Sequence, residues 1–298
     1  MNLVALDWGT SSLRGALLAA DGRVLEERSF ARGILTVEKG SFPAVFDSCF
    51  GDWMTPGTLC LIAGMAGSQQ GWIEAPYCPC PASFADIAAR LVWVEPKRIA
   101  IVPGMCIDKA GVPDVMRGEE TQVFGTLAML GITDARLVLP GTHSKWVTVS
   151  EQRVTDFSTC MTGEFYALLS QYSILKRTLP QENVTHDDNA FDEGIARALT
   201  GPSLLHTAFG ARTLSLFNRM ETSVLPSYLS GLVIGEELKC QQLQSGDSVV
   251  AVGSDSLTKK YARALLQLGV STQTIGNQAC WQGLRKIADT LNPAQRVV

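Results

Sequence analysis

Residues 2–19 read NLVALDWGTSSLRGALLA: an apolar run from Asn2 to Leu6, a polar turn from Asp7 to Ser12, and a second apolar run from Leu13 to Ala19. The pattern predicts a β-hairpin, each run a strand and the turn its tip. A plain hairpin closes on a two-residue Asn-Gly or Asp-Gly loop. This one instead places Gly9, Thr10, Ser11 and Ser12 at the tip, whose amides and hydroxyls can converge on an anion such as phosphate. Asp7 stands at the mouth of the turn, where a carboxylate facing phosphate makes sense with a divalent metal between the two charges.

The same grammar recurs. In ARLVLPGTHSKWVTVSEQRVTDF an apolar strand, Leu137 to Leu139, again runs into Gly-Thr-x-Ser. Here the turn is Gly141, Thr142, His143 and Ser144, and an alternating strand follows (Trp146 and Thr148 against Val147 and Val149). An internal duplication of strand, turn and strand is expected where two similar halves each present a phosphate-binding hairpin to one nucleotide.

A chain of 298 residues with a net charge of −4 can bury a large core, and the duplication favours two domains. Basic and acidic residues are interspersed, so there is no electrostatic footprint for nucleic acid or anionic lipid. The chain shows neither a bilayer-length apolar run nor a basic leader with a cleavage site, and a soluble, cytoplasmic protein is expected. The eight cysteines are scattered, with Cys78 and Cys80 the one close pair, and are read as reduced thiols rather than zinc ligands. Of the three histidines, His186 and His206 lie in polar or amphipathic helical contexts, while His143 falls inside the second turn.

Between the hairpins the sequence predicts a third strand at RVLEERSF, a helix from Pro43 to Met54 and a buried strand from Leu59 to Ala63. That strand enters Gly64–Trp72, a loop of small residues where a ligand can approach backbone and be read by Ser68, Gln70 and Trp72. RIAIVPGM predicts another strand, ending in Pro103-Gly104. After Arg117 and Gly118 comes a helix whose apolar face is Val123, Phe124, Leu127 and Leu130 and whose first turn holds Glu119 and Glu120. Acidic residues there suit the helix macrodipole, and a carboxylate at such a junction is also where a general base is expected.

The second half predicts a strand from Val154 to Ser158 and helices over 163–175, 190–199, 203–217 and 227–243. A buried strand, Val249 to Val252, then meets a Gly253-Ser254 turn and an amphipathic helix, an arrangement suited to a nucleotide edge. A strand at TQTI and a helix from Ala279 to Leu291 follow.

This order of parts resembles the actin-like ATPase and sugar kinase superfamily. More closely, DWGTSSLR, GMAGSQQGWIEAPY, PDVMRGEETQ, LPGTHSKWV, MTGEFYALL and YLSGLVIGEEL resemble, in order, the 2-dehydro-3-deoxygalactonokinases, from about residue 2 to about residue 290. The resemblance implies an α/β protein of two duplicated actin-like (ribonuclease H-like) domains with a nucleotide cleft between them, expected as residues 1–117 and 118–298. It also implies transfer of the γ-phosphoryl of ATP, with magnesium, to the 6-hydroxyl of 2-dehydro-3-deoxy-D-galactonate in galactonate breakdown.

On this chain, Asp7 would hold the metal, with Gly9, Thr10, Ser11 and Ser12 on phosphate. Gly141, Thr142, His143, Ser144 and Lys145 would close from the other hairpin, and Gly253 and Ser254 would meet the adenosine side. Met65, Gly67, Ser68, Gln70 and Trp72 occupy the place of a sugar-binding loop. Arg117 is the first choice for the substrate carboxylate, Lys145 the second, because a guanidinium pairs with a carboxylate bidentately. Relatives carry an aspartate as base where this chain offers Glu119 and Glu120; Glu119 is the choice here, being nearest the junction. Two rival readings are a kinase for another small sugar acid or polyol and an actin-like regulatory or filament ATPase. No nucleic-acid or membrane partner is expected, and the oligomeric state, a homo-oligomer included, is left open.

Overall fold

The computed structural model describes residues 2–180 and 186–291. The chain opens with strands β1 (Leu3–Trp8), β2 (Leu13–Leu18) and β3 (Val24–Phe30), helix α1 (Phe42–Phe50) and strand β4 (Leu59–Ala63). Next come β5 (Cys78–Pro79), α2 (Phe84–Ala88), β6 (Val92–Glu95), β7 (Ile99–Ile101), β8 (Met105–Lys109), β9 (Val112–Met116) and α3 (Glu119–Leu130). The second hairpin is built by β10 (Ala135–Leu139) and β11 (Ser144–Ser150), followed by β12 (Arg153–Cys160) and α4 (Thr162–Tyr172). Helices α5 (Asp188–Thr200), α6 (Leu204–Thr207), α7 (Gly210–Leu216) and α8 (Leu225–Lys239) follow. The described chain ends with β13 (Ser248–Val252), α9 (Asp255–Gln267), β14 (Ser271–Ile275) and α10 (Ala279–Leu291).

The duplication seen in the letters is a duplication of topology. One sheet runs β3-β2-β1-β4-β7-β6 and another β12-β11-β10-β13-β14, so each places its hairpin pair beside a third strand and then adds a later strand on the far side. β1 lies antiparallel to β2 and parallel to β4, and its residues Leu3 to Leu6 are buried. A strand covered on both faces reads as an unbroken apolar run, as this one does. A third, small sheet, β5-β8-β9, is absent from the expectation. The strand expected to end at Pro103 and Gly104 is β7; beyond it, β8 turns into an unexpected hairpin with β9 through Ala110 (φ +54°) and Gly111 (φ +81°). Two positive-φ residues at the turn match the twist of the paired strands.

Helix ends differ from the expected ones where small or polar residues interrupt the apolar spacing. The helix expected over 203–217 is α6 and α7, separated at Ala208 and Phe209, and that expected from Pro43 to Met54 ends as α1 at Phe50, with a 3₁₀ turn over Gly51–Trp53. Phe50 packs against β2 at Gly15, where an ideal Cβ would stand 2.5 Å from its ring.

Two compact units result: Met1–Leu137 with Val147–Ser158 and Ile275–Val298, and Val138–Trp146 with Thr159–Thr274. They do not follow the boundary expected at 117/118. Helices α3 and α10 belong to the first unit because they cross backbone against backbone. An ideal Cβ on Gly125 would lie 1.7 Å from the Ala279 carbonyl oxygen, and one on Gly283 would lie 1.8 Å from that of Thr121. In the second unit α5 and α8 cross in the same way, at Gly194 and Gly231. The first core gathers Trp8, Phe42, Phe46, Phe50 and Ile62; the second unit has one cluster around Val138, Trp146 and Phe191 and another around Tyr228 and Leu232.

Candidate active site

In the first unit, β1 extends through Asp7 and Trp8, so the exposed tip is shorter than expected, Gly9 to Ser12. The Gly9 amide donates to the Ser12 carbonyl at 2.9 Å, and the amides of Thr10 and Ser11 donate to no backbone oxygen among the described residues. The tip is braced from behind. Ile34 N donates to Gly9 O at 3.0 Å, and Gly33 approaches so closely that an ideal Cβ there would lie 2.2 Å from Thr10 O. Gly33 was not anticipated as part of the site; its role depends on a contact that no spacing rule reveals.

Asp7 is paired in register with Arg14 on β2, and the two side chains form an ion pair. Burial lowers the Arg14 pKa and Asp7 raises it, with a net upward shift. Arg14 also went unrecognised in the sequence, although a four-residue tip between Trp8 and Leu13 puts position 14 opposite position 7. Asp7 keeps 17% side-chain exposure.

Three chain segments meet beside Asp7. Gly64, at the end of β4, has φ +88°, and an ideal Cβ there would stand 2.8 Å from Trp8 O and 3.1 Å from Asp7 Oδ1. Gly118, at φ +107°, would bring a Cβ within 3.3 Å of Gly64 Cα. Both positions therefore need glycine for conformation and for space. Glu119 and Glu120 follow Gly118. Glu119 is half-buried and its Oε2 accepts from Arg117 N at 3.0 Å. Glu120 is wholly buried; its Oε2 accepts from Gly118 N at 2.7 Å, and its Oε1 has no hydrogen-bond partner among the described residues. Burial, then the neighbouring Glu119, pushes the Glu120 carboxyl up to about 8. The two side chains thus differ in kind: Glu119 is partly solvated, while Glu120 is a buried acid that holds its proton near neutral pH.

The Gly64–Trp72 loop is more tightly built than a mobile surface loop. Met65 and Trp72 pack on the first core, and Trp72 meets Trp8 edge-on with ring centroids 6.1 Å apart. The Ser68 hydroxyl donates to Met65 O at 2.8 Å, while Gln70 is exposed. Gly67 is buried against Arg117, whose Nη1 would lie 2.7 Å from an added Cβ. The Arg117 guanidinium donates from Nη2 to Ala75 O at 2.8 Å and stacks 4.2 Å from the Tyr77 ring centroid. Its Nε and Nη1 are buried with no hydrogen-bond partner among the described residues.

In the second unit Gly141, Thr142 and His143 form the outward tip, and α4 begins against it. Glu164 N donates to Thr142 O at 3.0 Å, an ideal Cβ on Gly163 would lie 2.5 Å from Gly141 O, and His143 Nε2 lies 2.5 Å from Glu164 Oε2. Ser144 and Lys145 point inward instead. Lys145 Nζ donates to Thr159 Oγ1 at 2.7 Å, and Ser144 Oγ lies 2.9 Å from the Tyr261 hydroxyl. Tyr261 gives its proton to Glu237 Oε2 at 2.6 Å, so Ser144 is the donor to Tyr261. Gly253, at φ +148°, follows β13 close to Pro140 O, and Ser254 stands at the N-cap position of α9 without a side-chain capping bond.

A family model described as 2-keto-3-deoxy-galactonokinase matches residues 7–287. The 2-dehydro-3-deoxygalactonokinase of Escherichia coli (strain K12) is 34% identical over 288 residues, 96% of this chain and 97% of that one. A crystal structure from Sinorhizobium meliloti, provisionally named a 2-dehydro-3-deoxygalactonokinase, superposes with a TM-score of 0.90 at 35% identity, over 98% of this chain and 99% of that one. The activator of the 2-hydroxyisocaproyl-CoA dehydratase from Clostridium difficile, with bound ADPNP, shares the fold at a TM-score of 0.53 and 12% identity, over 100% of this chain and 98% of that one. The repeated sheet order is thus that of the actin-like ATPases and sugar kinases. Since the match begins at Asp7 and runs through both hairpins into α10, the chain belongs to the 2-keto-3-deoxy-galactonokinase family.

Proposed function

We propose that this chain transfers the γ-phosphoryl of ATP to the 6-hydroxyl of 2-dehydro-3-deoxy-D-galactonate. The observation that carries the reading beyond family membership is the contrast at the start of α3. Glu119 is the partly solvated side chain at the junction beside Asp7, while Glu120 is buried with its proton. Glu119 accepts the proton of the sugar hydroxyl as that oxygen attacks phosphorus, and the amides of Thr10 and Ser11 receive phosphate oxygens. In the second unit, Gly141, Thr142 and His143 offer their outward amides and side chains to phosphate, and the Gly253–Ser254 turn takes the adenosine side.

A magnesium ion suits Asp7. The usual donor set for this ion is one or two carboxylates completed by phosphate oxygens and water. No group of three or more His, Cys, Asp or Glu side chains among the described residues is arranged to hold a metal by itself, which agrees with an ion that arrives with its nucleotide. Bound there, magnesium would neutralise phosphate charge. Arg14 orients the Asp7 carboxylate through their ion pair.

Arg117 acts on the sugar acid from behind the loop. Its charge lies under Gly67 and Ala75, where it favours an approaching carboxylate and fixes the backbone that meets it. Use of ATP supports a cytoplasmic location; among the described residues no helix is long and apolar enough to cross a membrane. The deciding assay is ADP release with 2-dehydro-3-deoxy-galactonate against its gluconate epimer, glycerol and no acceptor. Faster turnover of another acceptor, or equal ADP release without one, would overturn the proposal.

A further inference from the structure

Helix α8 is buried along most of its length, yet Glu237 sits on it with only 5% exposure. A carboxylate in such a place is costly unless donors surround it. Glu237 has three. Trp146 Nε1 donates to Oε1 at 2.6 Å, Tyr261 OH donates to Oε2 at 2.6 Å, and the Thr162 hydroxyl donates to Oε2 as well. These donors come from β11, α9 and α4, so one side chain ties together three elements besides its own.

The donors flank the second hairpin tip on both sides. Trp146 lies two residues beyond Ser144, and Tyr261 accepts the Ser144 proton. Thr162 immediately precedes Gly163, the residue pressed against Gly141 and Thr142. Apolar side chains of the same volume would fill this space but could not fix three hydrogen-bond directions at once. We propose that Glu237 is a positioning residue for nucleotide binding: it holds the ends of the Gly141–His143 tip so that the tip's amides and the Thr142 hydroxyl face phosphate. The chain of donors Ser144 to Tyr261 to Glu237 also fixes polarity, since it turns the Ser144 proton inward and leaves the outward surface to Thr142 and backbone. Burial pushes the Glu237 carboxyl up, a net rise that the hydrogen-bonding groups around it, Thr162 first, partly offset.

This inference rests on the reading of the second hairpin as a phosphate site, and the test separates the two. Glu237→Gln keeps the shape but places an NH₂ where an accepting oxygen is needed; Tyr261→Phe removes one donor to Glu237 and with it the link to Ser144, leaving Trp146 and Thr162 on the carboxylate. Each should raise KM for ATP, and the ATP dissociation constant measured by calorimetry without sugar acid, about tenfold, with KM for the sugar acid changed less than twofold. Thr142→Ala is assayed beside them. If it weakens ATP binding while folded Glu237→Gln and Tyr261→Phe do not, Glu237 has no positioning role. If none of the three affects ATP, the phosphate reading of the hairpin falls as well. A parallel loss for both substrates that follows the fall in Tm would reduce Glu237 to a stabilising residue and also overturn the proposal. Should Glu237→Gln not fold, Tyr261→Phe decides.

Discussion

Replacing Glu120 by glutamine should make the protein less sensitive to alkaline pH. The carboxyl is wholly buried, one oxygen accepts from Gly118 N and the other has no hydrogen-bond partner among the described residues. Its pKa rises from 4.5 to about 8. Between those values the folded state keeps a proton that the unfolded chain has released, so stability falls as pH rises. The contribution of Glu120 is therefore fully present below pH 4.5 and lost as pH passes about 8. At 1.36 kcal/mol per unit the shift corresponds to roughly 5 kcal/mol. Relaxation around the ionised group trims this, and about 2 kcal/mol is a safe lower expectation. Glutamine mimics the protonated acid: its oxygen can accept from Gly118 N, and it cannot ionise. The two proteins should have similar Tm at pH 5, and the variant should gain on the wild type by about 4 °C or more at pH 9, at roughly 2 °C per kcal/mol. Thermal unfolding at pH 5, 7 and 9 measures the difference directly, because every other titrating group is common to both. Curves that stay parallel from pH 5 to 9 would refute the reasoning and mean that Glu120 is ionised throughout. Turnover at pH 7 should survive in the variant, since the buried acid already holds its proton there.

Glu119→Gln should lower kcat about 10²- to 10⁴-fold with Tm unchanged, the mark of a lost general base; full activity would mean that the base lies elsewhere or that a loose transition state needs none. Asp7→Asn should abolish turnover at saturating ATP and magnesium while the circular dichroism spectrum stays that of the wild type, and an unchanged kcat would remove Asp7 from the chemistry. Arg117→Ala should raise KM for the sugar acid by about tenfold and KM for ATP far less, because it packs under Gly67 of the Gly64–Trp72 loop and holds Ala75 and Tyr77 just beyond it. Equal effects on both constants would place Arg117 at the phosphates instead.

Both hairpins were legible in the sequence because a Gly-Thr-x-Ser tip between apolar runs is a local pattern, and local patterns survive folding. The repeated sheet order followed from seeing that pattern twice. Ser144 and Lys145 show where such reading stops. Strict alternation would put one of these consecutive residues outside, yet both are buried. Arg14 could have been found by counting across the tip. Glu237 left only a faint signal, the second of two consecutive glutamates near the end of a largely apolar helix, and its three partners lie 24, 75 and 91 positions away. The β8–β9 hairpin was missed because its strands are short and largely exposed, and Asp108, Lys109, Pro113 and Asp114 break any apolar alternation.

The crossing of α3 and α10 has a consequence for how the polypeptide becomes a protein. Trp281 donates to Glu27 at 2.6 Å and Arg285 to Ala19 O at 3.2 Å, and α10 lies against β1 as well as α3. The unit that contains the beginning of the chain therefore lacks one of its walls until residues 279–291 have been synthesised. The other unit, complete by Thr274, can settle its contacts earlier. During translation the nascent first sheet must wait, with the α3 surface at Gly125 uncovered, for most of the message to be read. Its pairing of early and late residues is the slow, high-separation kind of contact. A chaperone or a pause in translation would act on that exposed helix face, and a chain cut before Ala279 would leave Glu119 on a helix without its support.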